Sequence, residues 1–201
     1  MHIELTEFLR CPEPHPEAFC ILVPVEMTGR DVVQGVIGCS GCRREYPIER
    51  GVARFGELPA AEAQPAAMPD GPDPVSAEGM QALLGLTGPG GYVVLVGSLA
   101  RLAEPLAPLI KGTHVVAVNA PPAVATSSAV SLLSCDRGIP LRASVARGVV
   151  VSSELAQQPW LGEGVRVLLR GLRLIGFGLA EGVPGLELLA QAPGVWVGEK
   201  R

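Results

Sequence analysis

From residue 92 onward, short and wholly apolar runs recur between stretches of turn-forming residues. Tyr92 to Val96 and Val115 to Val118 contain no charged position, the pattern of strands buried on both faces of a parallel sheet. Ser131 to Ser134, Val149 to Val151 and Arg173 to Phe177 predict further strands, and Val195-Trp196-Val197 a last one near the end of the chain. Between them, Ser76 to Leu86, Leu99 to Ile110, Leu155 to Leu161 and Leu186 to Ala192 read as helices, the second shortened by Pro105 and Pro108. Gly97-Ser98 is a sharp turn directly after the first apolar strand. Strands separated by crossovers of this length predict an α/β fold with a mainly parallel, doubly wound sheet.

The first 56 residues follow a different pattern. Phe19 to Val25 and Val32 to Ile37 are β-prone runs flanking Thr28-Gly29-Arg30-Asp31, a turn suited to a hairpin. Glu45 to Ile48 and Gly51 to Ala53 add a short strand and a turn. A block this small, with few large apolar side chains, is below the size at which a core alone suffices. Glu57 to Met80 is rich in alanine and acid and carries Pro59, Pro65, Pro69, Pro72 and Pro74, so it is expected to be an extended linker. The predicted division is therefore residues 1–56, a linker over 57–80, and an α/β unit over 81–201.

Composition narrows the classes of function. Of 201 residues, 48% are hydrophobic and 18% charged, which excludes wholesale disorder. The net charge of -4 gives no global attraction to nucleic acid or an anionic membrane. Residues 112–135 lack charge, but His114, Asn119, Pro121 and Pro122 interrupt them, so no membrane span is expected. The acidic start lacks a basic, apolar secretory signal, and a cytoplasmic location is expected. Arg166, Arg170 and Arg173 have the spacing of a solvated helix face or a basic stripe.

Four of the five cysteines, Cys11, Cys20, Cys39 and Cys42, fall within the first 42 residues, a clustering that suggests metal before disulfides. Structural zinc takes four thiolate or imidazole ligands at tetrahedral geometry, usually from two tight turns. Cys39-Ser-Gly-Cys42 is one such turn. Cys11-Pro-Glu-Pro14 is the other, with proline where a second cysteine would stand. The fourth ligand is His15, preferred because it lies close to the Cys11 turn, or alternatively Cys20, nine residues after Cys11. Cys135 reads as a small core residue.

Leu5 to Pro12, followed by Cys39-Ser-Gly-Cys42-Arg-Arg-Glu-Tyr46-Pro47-Ile48-Glu-Arg-Gly51-Val52, resembles the zinc-ribbon proteins that activate tRNA, rRNA and release-factor methyltransferases. The missing second cysteine of the first turn departs from that family's pattern. The resemblance implies a β-rich ribbon whose structural zinc supports a partner instead of catalysing. The remainder is similar to class I S-adenosylmethionine-dependent methyltransferases: Ser134-Cys-Asp136-Arg-Gly-Ile-Pro-Leu141 through Val149-Val-Val-Ser152-Ser153-Glu-Leu155 resembles the stretch from the third to the fourth strand, and Leu168-Leu-Arg-Gly171-Leu-Arg-Leu-Ile-Gly-Phe177 the approach to the fifth. This implies a small ribbon joined to a Rossmann-like, methyltransferase-type sheet.

The cofactor residues depart furthest from that family. Its first strand ends in an acid and a Gly-x-Gly-x-Gly turn; here Val94-Leu-Val96-Gly97-Ser98 keeps one glycine and no acid. The ribose-binding acid at the end of the second strand is replaced by Asn119, and only Asp136, on the adenine side, survives. Gly97, Ser98, Asn119 and Asp136 are the cofactor residues if the chain binds S-adenosylmethionine at all, which these losses argue against. No catalytic residue stands out. The reading is a non-catalytic interaction or scaffold protein that associates with a protein partner or with itself and meets RNA only through an active partner. The alternative is an active methyltransferase acting on RNA or protein.

Overall fold

The computed structural model describes residues 1–56, 75–178 and 182–201. Its elements are β1 (Cys20–Thr28), β2 (Asp31–Cys39), β3 (Glu45–Glu49), β4 (Val52–Phe55), α1 (Ala77–Leu84), β5 (Tyr92–Val96), α2 (Ala103–Leu106), β6 (His114–Val118), β7 (Val130–Cys135), β8 (Ala146–Val151), α3 (Trp160–Val167), β9 (Leu168–Phe177), β10 (Leu186–Ala192) and β11 (Val195–Lys200). Residues Ile3–Phe8 and Ser98–Leu102 form 3₁₀ turns.

All these strands join one sheet in the order β1-β2-β3-β4-β7-β6-β5-β8-β9-β11-β10. β4 to β9 pair in parallel where they are neighbours, and β11 enters antiparallel to β9. The expected α/β fold with a parallel core sheet and a β-rich N-terminal module is thus present. The two units are joined directly: Val52, Ala53, Arg54 and Phe55 of β4 lie in register with Leu132, Leu133, Ser134 and Cys135 of β7. Parallel pairing leaves Ala53 and Phe55 buried and uses the β4 edge that would otherwise be an unpaired template.

Alternating positions feed two cores. Val93, Leu95, Val115 and Ala117 pack with α1 and with the residues around α2. Val94, Val96, Val116, Val118, Val149 and Val151 share the opposite core with Leu5 and Leu9 of the N-terminal segment and with Tyr46 and Phe55. The connections β6 to β7 and β7 to β8 contain no helix. The N-terminal segment covers that face instead, anchored by the Leu9–Leu141 bridge and by backbone bonds from Arg10 to Pro140 and from Arg142 to Phe8.

Four expectations change. Leu186 to Ala192, helical by composition, is strand β10, because pairing with β11 across the Pro193-Gly194 turn supplies its hydrogen bonds and overrides weak local propensity. The helix expected over Leu155 to Leu161 begins at Trp160. Arg166 lies on α3 but Arg173 on β9, where they bond to Glu163 and to the Leu83 carbonyl respectively, so they form no helical stripe. Helix α1 starts inside the stretch assigned to the linker, capped by Ser76 Oγ accepting from Gly79 N–H and ended by Gly85 in the left-handed region. The rest of that stretch, to residue 74, lies outside the described residues. Among the described residues no helix is long and apolar enough to cross a membrane.

Candidate metal centre

The first turn reaches the site from the Leu9–Leu141 anchor, and the second from the end of β2. There Cys39 N–H donates to Arg44 O and Arg43 N–H to Cys39 O, both at 2.9 Å. Arg43 closes this turn at φ 61°. Glu13 ties the turns together, its carboxylate meeting Arg44 and Arg137 at 3.1 Å each.

The ligand atoms of Cys11, His15, Cys39 and Cys42 all lie within 4.8 Å of one another. Cys11 Sγ is 3.7 Å from Cys42 Sγ, and Cys39 Sγ is 3.3 Å from His15 Nε2. Tetrahedral zinc with ~2.3 Å sulfur bonds and ~2.0 Å nitrogen bonds has edges of about 3.8 and 3.5 Å respectively. The donor set and its spacing therefore fit zinc.

Second contacts orient the ligands. His15 Nδ1 is 2.6 Å from the Pro16 carbonyl, which can only accept, so the proton sits on Nδ1 and Nε2 offers its lone pair to the cluster. A Cβ on Gly41 would stand 3.1 Å from the His15 ring and 3.0 Å from Ala18, so glycine there lets the imidazole approach. Tyr46 Oη lies 3.0 Å from Cys11 Sγ in the interior. Burial pushes the Cys11 thiol up to about 11. For Cys39 burial also acts upward, but backbone N–H groups of Cys42 and Gly41 outweigh it and bring the thiol down to about 7. Sequence reasoning missed Tyr46 and Gly41 as supports, although both stand in the segment that carries the family resemblance.

Cys20 lies outside the group of four. It faces Cys39 across the β1–β2 ladder, and burial pushes its thiol up to about 12. Cys135 is buried in the core, as expected.

The loop after β5 has the opposite character. Gly97, at φ 86°, donates its N–H to Val118 O at 2.9 Å. Ser98 N–H donates to Glu154 Oε1 at 2.6 Å and Leu99 N–H to Ser152 Oγ at 2.8 Å, while that hydroxyl donates to Val96 O. A Cβ on Gly97 would sit 2.6 Å from Glu154 Oε1. Every backbone donor from Gly97 to Leu99 is thus met from within the chain. Asn119 is similarly engaged, its Nδ2 donating to Cys135 O at 2.8 Å and its Oδ1 accepting from Cys135 N–H at 2.9 Å. Asp136 packs beside Gly56, with Arg137 Nε 3.9 Å away. Glu154 was not singled out by the sequence, since nothing local marks a carboxylate for a loop 56 residues away.

Residues 2–51 match the family described as Trm112p-like protein. No curated protein matches the chain by sequence. In fold, the chain is similar to an S-adenosylmethionine-dependent methyltransferase from Aquifex aeolicus (16% identity, 62% of this chain and 89% of that one, TM-score 0.47) and to the antibiotic-resistance methyltransferase Kmr (15%, 63% and 93%, TM-score 0.44). It also resembles a chain in a complex of the Haloferax volcanii Trm112 methyltransferase activator (18%, 48% and 49%, TM-score 0.40). At such identities and TM-scores these likenesses say nothing about chemistry.

Proposed function

We propose that this chain is a non-catalytic, methyltransferase-like interaction or scaffold protein stabilised by a structural zinc ribbon. In this reading residues 1–56 are the ribbon unit and 81–201 the methyltransferase-like unit. Cys11, His15, Cys39 and Cys42 hold the metal in a closed site. Four protein ligands leave no open position for water or substrate, so the ion's contribution is to fold a module too small to hold itself together.

The observation that carries the non-catalytic reading is the Glu154 contact to Ser98 N–H. A cofactor's methionine end needs free donors in the loop after the first parallel strand; here a carboxylate of the chain already takes one and Ser152 another. Both polar groups of Asn119 are likewise committed to Cys135. Methyl transfer depends on holding donor and acceptor in line, and a pocket that cannot anchor the donor loses that positioning.

Association with a protein partner is supported by exposed Phe19, Ile21, Val23 and Val25 on and beside edge strand β1. RNA enters this reading only through such a partner. Isothermal calorimetry of the purified, zinc-replete chain with S-adenosylmethionine tests it. No heat of binding at micromolar to submillimolar cofactor is expected; micromolar binding without a partner would put an active methyltransferase first.

A further inference from the structure

Cys20 is the one N-terminal cysteine outside the ligand group. It is directly opposite Cys39 in the antiparallel β1–β2 register. Ser40 N–H donates to Phe19 O at 3.0 Å, so the neighbouring pair Phe19 and Ser40 is the hydrogen-bonded one. Cys20 and Cys39 are therefore a non-hydrogen-bonded pair, whose Cα atoms stand about 4.5 Å apart with both side chains on the same face. That separation lies within the ~4.4 to 6.8 Å range of disulfides.

Cys20 also lines an open groove of about 700 Å³, walled by Phe8, Leu9, Phe19 and Val145 and by the charged Glu7, Glu17 and Arg142.

The geometry points to Cys20 and Cys39 as a redox modification site, in which a hydroperoxide converts the pair to a cross-strand disulfide and thereby withdraws Cys39 from the metal ligands. This rests on the zinc reading above. The Cys39 thiolate attacks a peroxide oxygen; the O–O bond breaks, and the leaving oxygen departs as water or an alcohol after taking up a proton. Cys39 is now a sulfenic acid. The Cys20 sulfur then attacks the Cys39 sulfur, forming the S–S bond and breaking the S–O bond, and the hydroxide leaves as water with the Cys20 proton. Two electrons pass from the two sulfurs to the peroxide. The remaining Cys11, His15 and Cys42 hold zinc with one ligand fewer, so oxidation is read out as metal release. A dithiol reductant reverses it.

The experiment uses the full chain. Zinc per chain is first measured on the reduced protein, for the native sequence and for Cys20→Ser; one zinc in each is expected, since Cys20 is not a ligand. Both are then treated with hydrogen peroxide while a chromogenic chelator follows zinc release, and disulfides are mapped by mass spectrometry. The native chain should yield a Cys20–Cys39 linked peptide in step with zinc release, both reversed by dithiothreitol. Cys20→Ser should release zinc roughly tenfold more slowly, lacking the resolving thiol. Equal release rates, or a linkage confined to another pair such as Cys11–Cys42, would overturn the proposal. Loss of zinc from reduced Cys20→Ser would make Cys20 a ligand and overturn it as well. A native chain free of zinc would instead refute the zinc reading, and disulfide mapping would still decide the fate of the pair.

Discussion

The cysteine–histidine cluster and the loop after β5 are both built from tight turns, yet they leave their polar atoms in opposite states. In the first, His15 keeps a lone pair free by donating its other ring nitrogen's proton to Pro16, and three sulfurs converge on the same point from two separate turns. In the second, Glu154, Ser152 and Val118 accept from the backbone N–H groups of Ser98, Leu99 and Gly97. One constellation thus keeps donor atoms free, and the other has its backbone donors met within the chain. The lesson is that a site is recognised by what its polar groups still lack, more than by which residue types surround it.

The largest effect separating the two regions should come from the metal. Chelation, or Cys39→Ala, is expected to unfold the N-terminal module, because structural zinc contributes ~10 kcal/mol or more in small domains. Since β4 pairs with β7 in one sheet, the loss should spread to the parallel strands and lower the melting temperature of the whole chain by more than about 10 °C. Differential scanning calorimetry with and without chelator checks this, and an unchanged main transition would show that the ribbon is an appendage.

Next in size is Phe55→Ala at the seam. Emptying this buried position costs ~3 to 5 kcal/mol, expected as a single transition lowered by roughly 10 °C. Two separate transitions would mean that the units fold independently despite their shared sheet.

Glu154→Ala should have a smaller effect. It leaves Ser98 N–H without its partner at a cost of ~1 to 3 kcal/mol, and under the proposed function it should not confer S-adenosylmethionine binding, because Asn119 remains tied to Cys135. Calorimetry on the variant sharpens the comparison: micromolar binding by the variant and not by the native chain would show that one carboxylate alone blocks the loop.

A further expected effect is a pH dependence at His114, near the seam. Its Nε2 lies 2.8 Å from Ser131 Oγ, which also accepts His2 N–H. Burial lowers its pKa to about 4, below the ~6.5 of an unfolded histidine. The unfolded chain therefore binds the proton first, so this contribution to stability is complete above about pH 6.5 and is lost as pH falls toward 4. Melting curves should show it, and His114→Gln should flatten that part of the profile.

Much of this was legible in advance for physical reasons. Apolar runs such as Tyr92 to Val96 announce buried strands because both faces must be apolar, and Cys39-Ser-Gly-Cys42 announces a ligand turn because its spacing alone brings two sulfurs together. Ser76 similarly marks the start of α1 through local capping, whereas the end, read at Leu86, comes two residues earlier at Leu84 with Gly85 as the cap. These features depend on residues within a few positions of one another, and the sequence by itself determined them.

Other features needed the tertiary structure. Leu186 to Ala192 has a composition suited to a helix, but β11 supplies its hydrogen bonds. Glu154 and Asn119 have no local signature of closure; their partners are brought close only when β8 lies beside β5 and β7 beside β6. The choice of His15 over Cys20 likewise arises where two turns meet, since spacing allowed both and only the β1–β2 register turns Cys20 toward a neighbouring position. Short-range propensities are written residue by residue, whereas the satisfaction of a hydrogen bond or a ligand shell belongs to groups far apart in the chain, and folding alone decides which of them meet.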